Sequence, residues 1–188
     1  MLVLASQSPR RREILTQAGF AFTIRVPGID EVRSGTESPA DYVHRLALEK
    51  ARAAAASPEE FVIAADTVVV VDGAVLEKPG SVFVAGEMLR RLSGRSHVVL
   101  TGVCLLHGGQ EWSGVESTSV FFSAMTEDEL RGYAESGEPM DKAGAYAIQG
   151  LASKFIERVE GCYFNVVGLP ISLVYRLCKQ AGYSFNAG

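Results

Sequence analysis

The stretch from Phe61 to Leu76 constrains the fold most. Phe61–Ala65 and Thr67–Val71 are almost wholly apolar and rich in β-branched residues, the composition of strands covered by helices rather than of a half-exposed sheet. Asp72-Gly73 then reads as a tight hairpin turn into Ala74–Leu76. Asp66 and Asp72 cut the apolar run well short of the roughly 20 residues that would cross a bilayer. A buried strand pair of this kind needs covering helices, and the flanking sequence supplies them.

Ser8-Pro9 opens a helix, with Ser as cap and Pro at the first helical position, that Gly19 closes. Ser38-Pro39-Ala40-Asp41 opens a second, long and Ala-rich, whose Val43, Leu46, Ala47, Ala51 and Ala54 recur at helical spacing. Ser81–Leu92 is a third, Thr126-Glu127-Asp128-Glu129 caps a short fourth, and Pro170–Lys179 is the last. Met1–Ala5, His97–Leu106, Glu111–Met125 and Phe155–Val159 read as strands, the middle two meeting at Gly108-Gly109. Glu135–Gly150 has no clear period. Strands alternate with helices but with hairpins among them, which predicts an α/β fold: a mixed twisted β-sheet flanked by helices, with a cleft at strand ends. The chain reads as a single domain over residues 1–188.

Composition excludes several classes. At 47% hydrophobic and 21% charged residues the chain is an ordinary globular sequence, not a disordered, collagen-like or coiled-coil one. Eighteen Lys and Arg against 22 Asp and Glu leave a net charge of −4, which argues against duplex nucleic acid as a partner. The order of MLVLASQSPRRR, apolar before basic, reverses that of a secretory signal, so a cytoplasmic protein without a membrane partner is expected. Cys104, Cys162 and Cys178 form no CxxC pair and sit among apolar neighbours, as buried free thiols would. GxxxxGK[ST], GxGxxG and GxSxG are all missing, and His44, His97 and His107 lack metal-ligand spacing. A metal, if used, would be a hard cation on carboxylates.

Function is signalled where local rules are broken. Arg10, Arg11 and Arg12 crowd the opening turn of the first helix, where free N–H groups and the macrodipole disfavour cations. A strand, a Ser-containing turn and a helix start carrying arginines make a phosphate site from Ser6, Ser8 and guanidinium forks; otherwise the run is a solvated surface. Lys50 falls on the apolar stripe of the second helix, seven residues after Val43, so it either snorkels to the helix edge or leans into a cleft. Asp66 interrupts an apolar strand pair, where an unpaired charge would cost several kcal/mol, and must be paired, metal-bound or facing a cleft. Lys78 in Glu77-Lys78-Pro79-Gly80, and Lys142 and Gln149 in the Asp141–Gly150 segment, are weaker signals, since loop charges are commonly just solvated.

Taken together, LASQSPRRREIL (4–15), GIDE (28–31), LALEKA (46–51), AADTVV (64–69), LEKPG (76–80), LSGRSHVVLTGV (92–103), EPMDKAGAYAIQG (138–150) and NVVGLP (165–170) resemble the Maf-type septum formation inhibitor family of nucleoside triphosphate pyrophosphatases. The resemblance implies a fold similar to that of inosine triphosphate pyrophosphatases. It also implies hydrolysis of a nucleoside triphosphate to monophosphate and pyrophosphate, as nucleotide-pool sanitation. DKAGAYAIQG is similar to the branch acting on dTTP and UTP rather than on 7-methyl-GTP. Carried over by position, Asp66 is the proton acceptor, with Lys50 and Lys78 beside it. Ser6, Ser8, Arg10, Arg11, Thr67, Lys142 and Gln149 bind substrate, and Arg11, Thr67 and Gln149 set specificity. Glu31 and Asp66 are the expected ligands of a divalent cation, Mg²⁺ or in its place Mn²⁺ or Co²⁺. The resemblance further implies a homodimer, and the family name a cell-division protein as partner. The rival class is a non-catalytic nucleotide-binding regulator of division, which would need the cations but not Asp66.

Overall fold

In the computed structural model, which describes residues 1–33, 35 and 37–185, seven strands are interspersed with six helices. The strands are β1 (Leu2–Leu4), β2 (Phe22–Ile24), β3 (Phe61–Val71), β4 (Ala74–Leu76), β5 (Ser96–His107), β6 (Gln110–Phe122) and β7 (Ile156–Glu160). The helices are α1 (Pro9–Gln17), α2 (Pro39–Ala54), α3 (Val82–Leu92), α4 (Glu127–Glu135), α5 (Tyr163–Val167) and α6 (Ile171–Gln180). The sheet runs β2-β1-β3-β5-β6-β7, with β4 pairing to β3. Parallel β1–β2 and β1–β3 pairs stand beside antiparallel β3–β4 and β6–β7 pairs, so the predicted mixed sheet is what forms. Contacts gather the chain into two compact units.

The first unit comprises Met1–Asp66, Thr101–Glu116 and the chain from Gly168 onward. Its parallel pairs follow from its connections: α1 lies between β1 and β2, and α2 between β2 and β3, the crossovers that parallel neighbours need. β1 registers Leu2 against Phe61 and Leu4 against Ile63, and is buried at every position. The core joins Val3 and Ala5 to Val62, Ala64 and Cys104, with Ala47, Ala51 and Ala54 of α2 laid over them. Small residues let α2 come close. Gly102 in β5 has so little room that a Cβ there would run into the Val43 carbonyl of α2.

The second unit, Thr67–Leu100 and Ser117–Val167, has a core of its own. Val69 and Val71 of β3, Leu89 and Leu92 of α3, Phe122 of β6 and Tyr133 of α4 belong to one buried cluster. Asp72 and Gly73 take φ of 50° and 72°, both left-handed as the predicted two-residue hairpin turn requires. Thr126 and Glu129 cap α4 reciprocally.

Several expectations need correction. Phe61–Ala65 and Thr67–Val71 are one strand that passes through Asp66 without a break. β6 stops at Phe122, short of Met125. The aperiodic Glu135–Gly150 segment holds 3₁₀ turns at Glu138–Asp141 and Ala143–Ala145, and another follows at Leu151–Phe155. Cys104 and Cys178 are buried free thiols, pushed up to about 12 by loss of water, but Cys162 is only half-buried. Among the described residues no helix is long and apolar enough to cross a membrane.

Candidate active site

The sequence candidates divide between the two units: Ser6, Ser8, Arg10, Arg11, Glu31, Lys50 and Asp66 in the first, Thr67, Lys78, Lys142 and Gln149 in the second.

In the first unit, β1 delivers the chain to a turn in which Ser6 Oγ accepts the Ser8 amide at 3.1 Å. Ser8 caps α1, its hydroxyl accepting the Arg11 amide at 3.5 Å, and Pro9 stands at the first helical position. No acidic residue occupies that first turn, so its N–H groups face Arg10 and Arg11 without the usual counter-charge from α1. Arg11 is held in place by a backbone acceptor: its Nε donates to Gly168 O at 2.8 Å and its Nη1 to Ser6 Oγ at 3.4 Å. Removal from water pulls its pKa down, while Asp66 and Glu31 oppose that by favouring the charged form. Serine hydroxyls and a guanidinium are therefore assembled at one helix N-terminus, as the phosphate-site reading requires.

Lys50 does not snorkel. Its side chain is 8% exposed, and its ammonium donates to Asp66 Oδ1 at 2.6 Å and pairs with Glu31 Oε1 at 2.7 Å. Asp66 is buried too, its side chain 9% exposed, so of the three outcomes its position allowed, pairing is the one found. Glu31 is 47% exposed and comes from an irregular loop. Arg45, one and a half turns before Lys50 on α2, ties that loop down. Its guanidinium donates to Glu37 at 2.7 and 2.8 Å, to Glu49 at 3.0 and 3.1 Å, and to Val32 O, next to Glu31, at 3.1 Å. Those carboxylates raise the Arg45 pKa above its ordinary value.

A cation therefore already stands between the Asp66 and Glu31 carboxylates, whose hard oxygens are of the donor type that a divalent ion would take. Among the described residues no group of three or more His, Cys, Asp or Glu could hold a metal by itself.

In the second unit Thr67 is half-buried and Lys78 and Gln149 are exposed. Lys142 is largely committed to the fold, donating to Glu138 O at 2.7 Å and Asp141 Oδ1 at 2.6 Å. Tyr133 and Glu138, to which sequence reasoning gave no role, hold the turn that carries Gln149. Gly168 and Arg45 were passed over as well. A backbone carbonyl has no side-chain signature, and an arginine on a helix of mixed charge looks like any solvated one.

The Maf-like protein family matches residues 1–181 of this chain. A protein of Symbiobacterium thermophilum named dTTP/UTP pyrophosphatase is 50% identical over 188 residues, covering 100% of this chain and 97% of its own. One of the same name from Vibrio cholerae is 51% identical over 172 residues, 90% of this chain and 92% of its own. Among solved structures, the Ham1 protein of Staphylococcus aureus is similar in fold, with a TM-score of 0.52 over 97% of this chain and 99% of that one at 16% identity. By the extent of the family match and by relatives at half identity along almost its whole length, the chain belongs to the Maf-like protein family.

Proposed function

We propose that the chain is a nucleoside triphosphate pyrophosphatase acting on dTTP and UTP and releasing the monophosphate and pyrophosphate. One observation carries this reading: a buried carboxylate, Asp66, oriented by a buried lysine beside a helix N-terminus that presents Ser6, Ser8 and Arg11. A module that only bound nucleotide would need the cations but no buried acid. The names of relatives at about 50% identity support the substrate assignment.

A triphosphate carries about four negative charges, so its cleavage is chiefly a matter of positioning and counter-charge. Arg10, Arg11 and the α1 amides supply both for phosphate oxygens. Lys50 fixes the Asp66 carboxylate in one orientation. Asp66 takes the proton of the water that attacks the α-phosphorus; as the new P–O bond forms, the bond to the α–β bridging oxygen breaks and pyrophosphate leaves. Asp66 and Glu31 are the residues that would hold Mg²⁺, or Mn²⁺ or Co²⁺, and such an ion supplies charge neutralisation at the phosphates. On the strength of the family resemblance we assign Lys78 and Lys142 as further counter-charge, and Arg11, Thr67 and Gln149 as the residues that set base preference. A cytoplasmic homodimer with a part in septum formation completes the proposal, on the strength of the family resemblance.

Product analysis over a panel of triphosphates with Mg²⁺ tests the core of it. UMP and dTMP appearing in step with pyrophosphate is the expected result. Diphosphate with inorganic phosphate would move the attack to the γ-phosphorus, and tight binding without turnover would make the chain a regulator.

A further inference from the structure

The turn that carries Gln149 is anchored on both sides. On one side the Ala147 amide donates to Tyr133 Oη at 3.1 Å. On the other the Leu151 amide donates to both oxygens of Glu138, at 3.0 and 3.1 Å. The two anchors are joined, because the Tyr133 hydroxyl donates to Glu138 Oε1 at 2.7 Å. Between the tethered amides stand only Ile148, Gln149 and Gly150. The carboxylate lies so close over Gly150 that a Cβ there would overlap it. Tyr133 is itself fixed, 5% exposed on α4 and edge-on to Phe155 with ring centroids 6.3 Å apart. Lys142 in turn ties the Glu138 carbonyl at 2.7 Å.

At the base of this device Tyr133 is buried and Glu138 half-buried, whereas the residue at its tip, Gln149, is exposed. Ile148 packs against the core and already fastens one side of the turn, so folding has little use for further ties around the exposed Gln149. A recognition group does, since a side chain held in place before its ligand arrives loses less freedom on binding. We propose that Tyr133 and Glu138 are positioning residues that set base specificity by holding the Gln149 turn ready. This rests on the reading of Gln149 as a reader of the pyrimidine base.

An interaction made equally in ground and transition states shows in KM more than in kcat. Tyr133→Phe, which keeps the ring and removes only the hydroxyl, and Glu138→Ala should therefore each raise KM for UTP and dTTP by about tenfold while changing KM for ATP by less than about twofold. Glu138→Gln should recover most of the loss, because its amide oxygen can take the place of Oε1, which accepts from both Tyr133 and Leu151. Amide exchange at 147 and 151 should quicken in Tyr133→Phe and Glu138→Ala, which shows that the turn has been released. A wild-type protein with no preference for UTP over ATP overturns the reading of Gln149. A wild-type preference that survives both Tyr133→Phe and Glu138→Ala overturns the positioning role alone.

Discussion

Lys50, Asp66 and Glu31 form a contact that stability alone does not call for. Burying an ammonium against a carboxylate commonly gains nothing over apolar residues of the same volume, whereas removing one partner from such a pair is costly. Asp66→Asn should therefore lower kcat by about 10²–10⁴-fold. It should also cost about 1–3 kcal/mol of stability, since Lys50 keeps only the half-exposed Glu31. Urea titration and initial rates read the two effects separately, and wild-type turnover by this variant would remove Asp66 from the chemistry. The double change Lys50→Met with Asp66→Leu should fold at least as stably as the parent and still be inactive. Base preference makes a second test: Gln149→Glu replaces a group that both donates and accepts with one that only accepts, so kcat/KM for UTP should fall by about 10²-fold, and that for 7-methyl-GTP by less. An unchanged ratio would reduce Gln149 to a loop residue. Lys50 and Asp66 were legible in the sequence because each breaks a local rule, a lysine on an apolar stripe and an acid in an apolar strand, whereas Glu31 was named only through the family resemblance and Gln149 was a weak loop signal that the resemblance strengthened. Arg45, Tyr133 and Glu138 break none, and the contacts that give them a role, with Glu37 and Val32 O for Arg45 and with the Ala147 and Leu151 amides for the other two, are set by loops and turns that carry no local signal.

Elements differ in how much of themselves they write into sequence. α1, α2 and α4 announce their starts through Ser8, Ser38 and Thr126, and all three residues do accept the predicted amide. The Asp72-Gly73 turn is equally plain. β2 is only Phe22–Ile24, too short for any alternation to register, and it gains its place from parallel pairing with β1. The 3₁₀ turns lack a period because their conformation comes from outside them: Gly144, at φ 69°, donates its amide to Glu77 O at 3.2 Å. Gly102 is the case where an element's placement depends on one missing atom. Gly102→Ala would force α2 away from β5 and should cost about 3 kcal/mol, the upper end of ordinary overpacking. For a chain of this length that is a fall of about 6–12 °C in Tm. Because α2 carries Lys50, kcat should drop as well. A stable but inactive Gly102→Ala protein would mean that the helix shifts without loss of packing, and a stable, active one would mean that the close approach is not needed.

Over the whole molecule the acid limb of stability should be set by residues that the sequence reading passed over or set aside. His97 is buried against Phe122 and Tyr146, with Nε2 2.8 Å from the Tyr146 hydroxyl and Nδ1 left without a hydrogen-bond partner among the described residues. An imidazolium there would bury an N–H with no acceptor, and loss of water brings its pKa down from 6.5 to about 4. Between those values the unfolded chain binds a proton that the folded one refuses. Stability contributed by neutral His97 is thus complete above about pH 6.5 and lost as pH falls toward 4, by about 3 kcal/mol in all. Glu60 adds a later step of the same sign. Its carboxylate, bidentate with Arg25 at 2.8 Å, is held down to about 2, so its contribution persists to about pH 4.5 and fades only below that. Urea unfolding at pH 7.5, 5.5 and 4.5 should show the decline beginning near 6.5 in the parent. In His97→Gln, which keeps a partner for Tyr146 but cannot titrate, stability should stay level until about 4.5. Parallel curves for the two proteins would show that His97 takes up its proton without opening the core, and the acid limb would then belong to the carboxylates.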